Sequence, residues 1–304
     1  MAETDCKKCR RAKRFLILLL VLAGCLLAGS ILTEVFDAPR KESLAGKRIS
    51  FMGDSITTYL DWSNNTGFNS TLGGHKERNT RVYYGRDNKK GLLPSVHHTY
   101  WMLTVERLGL SLCVNNSWSG SRVATTGVSN KDGCGTRTEN LHNDHTGENP
   151  DIIVVYMGTN DFNTNVPLGI FNTLEDIYDE ATGTYTGNLK RFAPAYATMV
   201  HKIKSRYPDA DIYLCTIDHY RHKTGRNHGN PSFYNRVIEK VAAYFQCNIV
   251  DFYRETPIFP ETAEKYTLPE SKGPHRIHPN AQGMEEMFVC LKEALSKNYT
   301  VEEG

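Results

Sequence analysis

The sequence lacks a strong excess of charge and has only one long apolar run. The 304 residues carry a formal net charge of +2, with 39% hydrophobic residues and a mean hydropathy of −0.47. Residues 1–14 alone carry a net charge of +4, which leaves about −2 for the rest of the chain. A near-neutral body gives no electrostatic basis for binding nucleic acid. The hydropathy also excludes a polytopic membrane protein.

Nucleotide, repeat, metal and disulfide signatures are lacking too. No Walker-type glycine loop, internal repeat or low-complexity tract occurs. The Cys6–Cys9 pair has metal-ligand spacing but no second pair, which favours simple thiols close to a membrane. The body holds five cysteines, an odd number, and several of them lie in apolar runs, so buried free thiols are expected rather than a disulfide framework. We therefore expect no metal and no cofactor.

The N-terminus has the pattern of a membrane-targeting segment. Residues 1–14 are basic, and residues 15–32 form an uncharged apolar run of 18 residues, which is long enough to span a bilayer. Leu22-Ala23-Gly24-Cys25 also resembles a bacterial lipobox with Cys25 as the lipidated residue, although apolar residues continue beyond it. Either a signal anchor or a lipoprotein signal places the following domain outside the cytoplasm, at the cell membrane. Residues 33–46 are then a linker, and 47–304 the domain.

Strand and helix patterns alternate along the body. Short apolar runs predict five strands, and periodic segments between and after them predict four helices. This alternation indicates an α/β fold with a parallel sheet between helix layers. Two long stretches, 58–95 and 162–189, resist assignment apart from a short helix predicted near 174–179. The predicted strands are 47–52, 111–116, 151–157, 211–217 and 248–252, and the predicted helices are 98–108, 193–207, 232–245 and 281–296.

Four short motifs, each weak alone, follow one another in an order that suits acyl-transfer chemistry. Ser55 comes after the first strand, at the N-terminus of an expected helix, and needs a base such as His278 to become nucleophilic. The backbone N–H groups of Ser55 and Gly120 and the Asn160 side-chain amide can meet the negative charge that develops during attack. The motifs are Gly53-Asp54-Ser55-Ile56-Thr57, Asn116-Ser117-Trp118-Ser119-Gly120, Gly158-Thr159-Asn160-Asp161, and His278-Pro279-Asn280 with Gly283.

With these motifs the chain resembles the SGNH (GDSL-type) hydrolase superfamily, as a bacterial membrane-anchored member, over roughly residues 47–295. The resemblance implies a flavodoxin-like three-layer α/β/α sandwich around a five-stranded parallel sheet. It also implies a serine ester hydrolase with Ser55 as nucleophile, His278 as base, and Gly120 and Asn160 in the oxyanion hole. Members of the superfamily deacylate lipids, acetylated sugars and other esters, and a minority transfer acyl groups.

One position departs from the family pattern. The family has an aspartate three residues before its histidine, and here that residue is His275. A neutral histidine does not stabilise an imidazolium as a carboxylate does. Three alternatives stay open at this stage. In the first, a backbone carbonyl orients His278 and leaves a Ser–His dyad. In the second, another acid such as Glu270 or Asp251 takes the place of the aspartate. In the third, the site binds a ligand without catalysing a reaction.

Aromatic and histidine side chains flank the motifs. Tyr59 and Trp62, with Phe68, Tyr83 and Tyr84, either contact substrate or anchor a long loop, and loop anchoring is favoured for each one. His219 and His222 follow the fourth strand, and a solvated loop is favoured there over substrate contact. Metal binding by these histidines and His228 is not expected, because no cysteine or carboxylate lies at a convincing ligand spacing from them.

The sequence therefore predicts an extracytoplasmic serine esterase that removes short acyl groups, such as acetyl, from glycans or related small-molecule esters. The alternatives are a cell-wall glycan O-acetyltransferase, or a catalytically weak surface module that binds a glycan or a partner.

Overall fold

The computed structural model describes residues 41–60, 62, 82–85, 93–127, 131–143, 145–219, 230–269 and 276–301. The chain divides into two units, Met1–Glu42 and Ser43–Gly304, and the second unit carries the central sheet and its helices. In these ranges no helix combines the length and the apolar character needed to cross a bilayer. The predicted tail, the membrane segment with Cys25, and most of the linker lie outside the described residues.

Five parallel strands form the central sheet in the order β2-β1-β3-β4-β5. This is the order of a flavodoxin-like doubly wound sheet, in which ligands bind outside the carboxyl ends of the strands. The middle strand β3 is buried at every residue, because helices cover both faces of the sheet. The strands are β1 (Arg48–Gly53), β2 (Ser111–Asn115), β3 (Ile152–Tyr156), β4 (Asp211–Cys215) and β5 (Asn248–Val250).

Two hydrophobic clusters, one on each face of the sheet, form the core. Alternate residues of a strand point to opposite faces, so Val154 packs in one cluster and Val155 in the other. Helices α1 and α7 cover the first face and helices α3 and α4 the second. The helices are α1 (Tyr100–Arg107), α2 (Thr159–Asn163), α3 (Phe192–Arg206), α4 (Ser232–Phe245), α5 (Phe252–Glu255), α6 (Ala263–Tyr266) and α7 (Ala281–Ser296). These layers confirm the predicted three-layer α/β/α sandwich.

Short elements complete the described chain. Single turns of 3₁₀-helix and strands of two residues connect or flank the main elements. The 3₁₀ turns are Ser55–Thr57, Val96–His98, Thr136–Glu139 and Leu174–Asp176, and the two-residue strands are Glu42–Ser43, Tyr178–Asp179, Thr184–Tyr185 and Tyr299–Thr300.

Three predicted features need correction. Ser55 does not open a crossover helix, because its 3₁₀ turn ends at Thr57 and the backbone of Thr58 is extended. The fifth strand stops at Val250, since the Asp251 side chain accepts from the Arg254 N–H and begins α5. The short helix predicted near 174–179 is only the 3₁₀ turn Leu174–Asp176.

The five cysteines of the body are free thiols, as predicted. Cys134, Cys215 and Cys290 are buried, whereas Cys113 and Cys247 are half-buried. Burial raises the pKa of the Cys247 thiol to about 11, so this group stays protonated and unreactive at neutral pH.

Candidate active site

Ser55 lies immediately beyond the carboxyl end of β1, in a tight turn. The Asp54 side chain caps this turn by accepting a hydrogen bond from the Ile56 N–H at 3.0 Å. Gly53 is needed before it, because a Cβ at this residue would lie 2.3 Å from Thr57 Oγ1. The side chain of Thr58 donates to the Ser55 carbonyl at 2.8 Å. These contacts fix the backbone that carries the Ser55 hydroxyl.

His278 is brought to Ser55 by the segment between α6 and α7. Its Nε2 lies 2.8 Å from Ser55 Oγ, although 223 residues separate the two in the chain. Only 8% of Ser55 and 6% of His278 is exposed. The backbone of His278 is tied down, because its carbonyl accepts from the Leu268 N–H at 2.8 Å. The pair has the geometry in which a histidine takes a serine proton.

The residues after His278 fix the start of α7. Asn280 caps this helix by accepting from the Gly283 N–H at 3.0 Å, and its own amide donates to the Lys265 carbonyl at 2.7 Å. A Cβ on Gly283 would lie 2.2 Å from the Tyr266 carbonyl oxygen, so only glycine lets α7 approach α6 this closely. The His-Pro-Asn motif with its later glycine therefore sets the position of His278 through local backbone geometry.

Tyr83 and Tyr84 pack around the imidazole of His278. The Tyr83 ring stacks on it, with centroids 3.4 Å apart and planes inclined by 7°. Tyr84 meets it edge-on at 6.2 Å, and its hydroxyl donates to the Pro279 carbonyl at 2.8 Å. The Tyr83 N–H donates to Thr58 Oγ1 at 2.8 Å, which links this segment to the turn of Ser55.

Gly120 and Asn160 lie on segments that meet beside Ser55. Gly120 has a φ of +72°, which suits glycine, and it precedes Ser121. Asn160 lies in the first turn of α2, after Gly158 with a φ of +124°. Its Nδ2 donates to Asp54 Oδ2 at 3.1 Å and to the Ser121 carbonyl at 2.9 Å. The structure thus joins Asn160 to the neighbours of both Ser55 and Gly120.

Asp54 is a fully buried carboxyl at the centre of this arrangement, and its role was not predicted from the sequence. Burial raises its pKa to about 7, against the opposing effects of the Ile56 N–H and the nearby Arg137 guanidinium. Its position next to the serine was the only available signal, and a helix or turn cap explains such an aspartate equally well.

The other sequence-predicted residues differ in where they lie. Tyr59 is half-buried against the core and bridges to Tyr84, as a loop anchor does. Trp62 is 43% exposed. The His219 ring contacts Tyr253 at 4.9 Å, beyond the end of β4. His222 and His275 lie outside the described residues, as do Phe68, His228 and Glu270.

Asp251, one of the two acids considered as partners for His278, is engaged elsewhere. Its carboxylate accepts from Thr216 Oγ1 at 3.0 Å and from the N–H and guanidinium of Arg254. These contacts make Asp251 the N-terminal cap of α5.

Comparisons with solved structures reveal the same fold. A protein from Bacteroides ovatus named as a GDSL-like lipase superposes with a TM-score of 0.58 at 23% identity, covering 83% of this chain and 99% of that one. A protein of the same name from Bacteroides uniformis superposes with a TM-score of 0.57 at 24% identity, covering 83% of this chain and 96% of that one. A protein from Lactobacillus plantarum superposes with a TM-score of 0.56 at 18% identity, covering 84% of this chain and 99% of that one. A search of curated proteins gave no match.

A family model identifies the chain directly. The model for GDSL-like lipase/acylhydrolase matches residues 47–228, which is more than half of the sequence. This range includes Ser55, Gly120 and Asn160, and the fold adds His278 from beyond it. The chain belongs to the GDSL-like lipase/acylhydrolase family, within the SGNH superfamily of serine ester hydrolases.

Proposed function

We propose that this protein hydrolyses esters of short acyl groups, such as acetyl groups on glycans, through an acyl-Ser55 intermediate. The single observation that carries the mechanism is the 2.8 Å contact between Ser55 Oγ and His278 Nε2. In the first step His278 takes the hydroxyl proton as Ser55 Oγ bonds to the acyl carbon. The protonated His278 then gives that proton to the leaving alcohol as the ester C–O bond breaks. Water, deprotonated by His278, then bonds to the acyl carbon, and His278 returns the proton to Ser55 Oγ as the bond from the acyl carbon to Oγ breaks and the carboxylic acid leaves.

The oxyanion of each tetrahedral intermediate is assigned to the N–H groups of Ser55 and Gly120 and to Asn160 Nδ2. The positive φ of Gly120 and the link from Asn160 to Asp54 support this assignment. Preorganised donors of this kind commonly contribute the largest share of catalysis. Trp62 lies seven residues after Ser55 and is 43% exposed, and an aromatic side chain of this kind is suited to a sugar ring.

The direct test uses the full-length chain in mild detergent with p-nitrophenyl acetate and a series of longer acyl esters. We expect turnover that falls with acyl length and disappears in Ser55→Ala. Ser205→Ala, on the exposed side of α3, is the matched control and keeps wild-type turnover. A fluorophosphonate probe should label the wild type and not Ser55→Ala. Hydrolysis that persists in Ser55→Ala would contradict the proposal.

Two further outcomes distinguish the alternatives. Acyl transfer to an added glycan in preference to water would indicate a transferase. No turnover and no labelling in the wild type, with turnover gained in His275→Asp, would indicate a binding module whose triad has lost its acid. Wild-type turnover in the presence of His275 would indicate either a Ser55–His278 dyad or another acid, such as Glu270, in place of the family's aspartate.

We also propose that the hydrolase acts outside the cytoplasm, held at the cell membrane by residues 15–32. The support is the basic segment followed by 18 uncharged apolar residues. Alkaline carbonate extraction should leave the full-length chain with the membranes, and protease added to intact cells should cleave the domain. The mass of the mature chain separates the two anchors, because a lipoprotein is cleaved before Cys25 and lipidated there, whereas a signal anchor keeps residues 1–24. Recovery of the wild type in the soluble fraction would contradict the proposal.

A further inference from the structure

Arg137 is a buried cation at the carboxyl end of the sheet, close to the site. It belongs to the 3₁₀ turn Thr136–Glu139 between β2 and β3, and only 2% of it is exposed. Burial lowers its pKa to about 10, with Asp54 opposing this effect, so the guanidinium is still protonated at neutral pH. No sequence motif pointed to it.

The guanidinium donates hydrogen bonds to acceptors at four separate positions in the chain. Nη2 donates to the Gly53 carbonyl at 2.8 Å and to the Asn116 carbonyl at 2.5 Å. Nη1 donates to Ser121 Oγ and to the Lys131 carbonyl, both at 3.0 Å. A planar fork of donors suits such a spread of acceptors, whereas a single ammonium satisfies fewer of them.

Two of these acceptors belong to segments that carry proposed oxyanion donors. Gly53 ends β1 two residues before Ser55, and Ser121 directly follows Gly120. The third donor, Asn160, is attached to Asp54, whose carboxyl interacts electrostatically with Arg137. One side chain therefore connects all three donor segments, directly or through one neighbour.

A purely structural role explains these contacts less well than a positioning role. Satisfying strand-end carbonyls needs only neutral donors, and burying a cation costs free energy that a neutral side chain avoids. A fixed positive charge in a region of low dielectric lowers the energy of an oxyanion formed nearby more than it affects the neutral ester.

We propose that Arg137 is a positioning residue for the acyl-transfer reaction, which orients the oxyanion donors of Ser55, Gly120 and Asn160 and adds positive potential to their site. This inference rests on the proposed esterase function. It assigns a role in stabilising the intermediate and not in binding the ester, so its loss lowers kcat and leaves KM unchanged.

The test compares Arg137→Gln and Arg137→Lys with the wild-type full-length chain in p-nitrophenyl acetate hydrolysis. We expect kcat to fall by about 100-fold in Arg137→Gln, as when one oxyanion donor is removed, with KM nearly unchanged. Arg137→Lys keeps the positive charge and loses the forked donors of the guanidinium, so its kcat should lie between those of the wild type and Arg137→Gln. Inhibition by a small alkylboronic acid, which forms a tetrahedral adduct on serine, should weaken in parallel with kcat.

Arg48→Gln is the matched control, because Arg48 also makes forked bonds, to Asp151, but at the opposite end of β1. It should lower stability and leave kcat unchanged. Wild-type kcat in Arg137→Gln, or a change in KM alone, would overturn the inference, and equal kcat in both Arg137 variants would overturn its electrostatic part. If Arg137→Gln does not fold, Arg137→Lys decides: lower kcat at constant KM supports the inference, and unchanged kcat overturns it. A wild type without Ser55-dependent turnover would instead overturn the esterase proposal, and this inference with it.

Discussion

The ring of Tyr83 lies face to face with the imidazole of His278, with centroids 3.4 Å apart and planes inclined by 7°. The stack covers one face of the imidazole while its Nε2 meets Ser55 Oγ. The backbone of Tyr83 is held by Thr58, which also bonds the Ser55 carbonyl. The same small set of contacts therefore orients both members of the proposed dyad.

Removing this ring should weaken catalysis without preventing folding. Stacked aromatic pairs contribute on the order of 1 kcal/mol, so we expect Tyr83→Ala to lower kcat about fivefold. The bond from the backbone N–H of residue 83 to Thr58 does not depend on the side chain. Tyr83→Phe retains the stack and is the matched control. Steady-state hydrolysis of p-nitrophenyl acetate measures kcat in both variants. Equal losses of kcat in Tyr83→Ala and Tyr83→Phe would show that catalysis depends on the hydroxyl and not on the stacked ring.

Asn160 should matter for the reaction more than for the fold. Both hydrogens of its amide have protein acceptors, Asp54 Oδ2 and the Ser121 carbonyl, so an oxyanion would share or replace one of them. We expect Asn160→Ala to lower kcat by about 10²- to 10³-fold at similar KM. Asn163→Ala, one turn later in the same helix, should keep wild-type kcat. A kcat within about threefold of wild type in Asn160→Ala would exclude its amide from the oxyanion hole.

The sheet was predictable from the sequence because its signals are local. Strand β3 is a continuous apolar run between helices, and the bounds of α4 and α7 agree with the periodic segments 232–245 and 281–296. The fifth strand was predicted too long because Asp251 is the cap of a helix of only four residues, which leaves no periodic signal.

The site was predictable only in part, because its motifs identify residues and not contacts. The juxtaposition of Ser55 and His278 was predictable because Ser55 follows β1 at the carboxyl edge of the sheet, and the connection from β5 to α7, which carries His278, returns to that edge. The role of Arg137 was not predicted because three of its four oxygen acceptors are backbone carbonyls, which any sequence provides. Aromatic composition alone does not separate Tyr83, which stacks on His278, from Tyr59, which packs on the core.

Gly283 is expected to be essential for the position of α7. A Cβ there would lie 2.2 Å from the backbone oxygen of Tyr266, and a backbone atom cannot move away as a flexible side chain can. We expect Gly283→Ala to lower the free energy of unfolding by about 1–3 kcal/mol, as overpacking does, and to lower kcat because His278 precedes this helix. Urea denaturation measures the first effect. Gln282→Ala, at the exposed neighbouring position, is the control and should change neither quantity.

The buried carboxyls of Asp54 and Asp161 should make the protein less stable as pH rises through the neutral range. Burial raises the pKa of each to about 7, and in Asp161 the Ala124 and Val123 N–H groups only partly oppose this. In the unfolded chain an aspartate has a pKa of about 3.9, so between these values the folded state binds more protons than the unfolded state. Stability from this source is therefore complete below about pH 4 and is lost progressively up to about pH 7.

Urea denaturation at about pH 5 and about pH 8 tests this dependence, because the folded-state pKa of about 7 lies between these two pH values. The wild type should have a larger free energy of unfolding at the lower pH. Asp161→Asn removes one of the two titrations, so the difference between the two pH values should shrink, even though one amide oxygen replaces two carboxylate oxygens as acceptor for Val123 and Ala124. Asp209→Asn alters an exposed carboxyl and should leave the difference unchanged. If Asp161→Asn keeps the full wild-type difference, Asp161 is ionised in the folded protein, held by its two backbone N–H donors against the cost of burial.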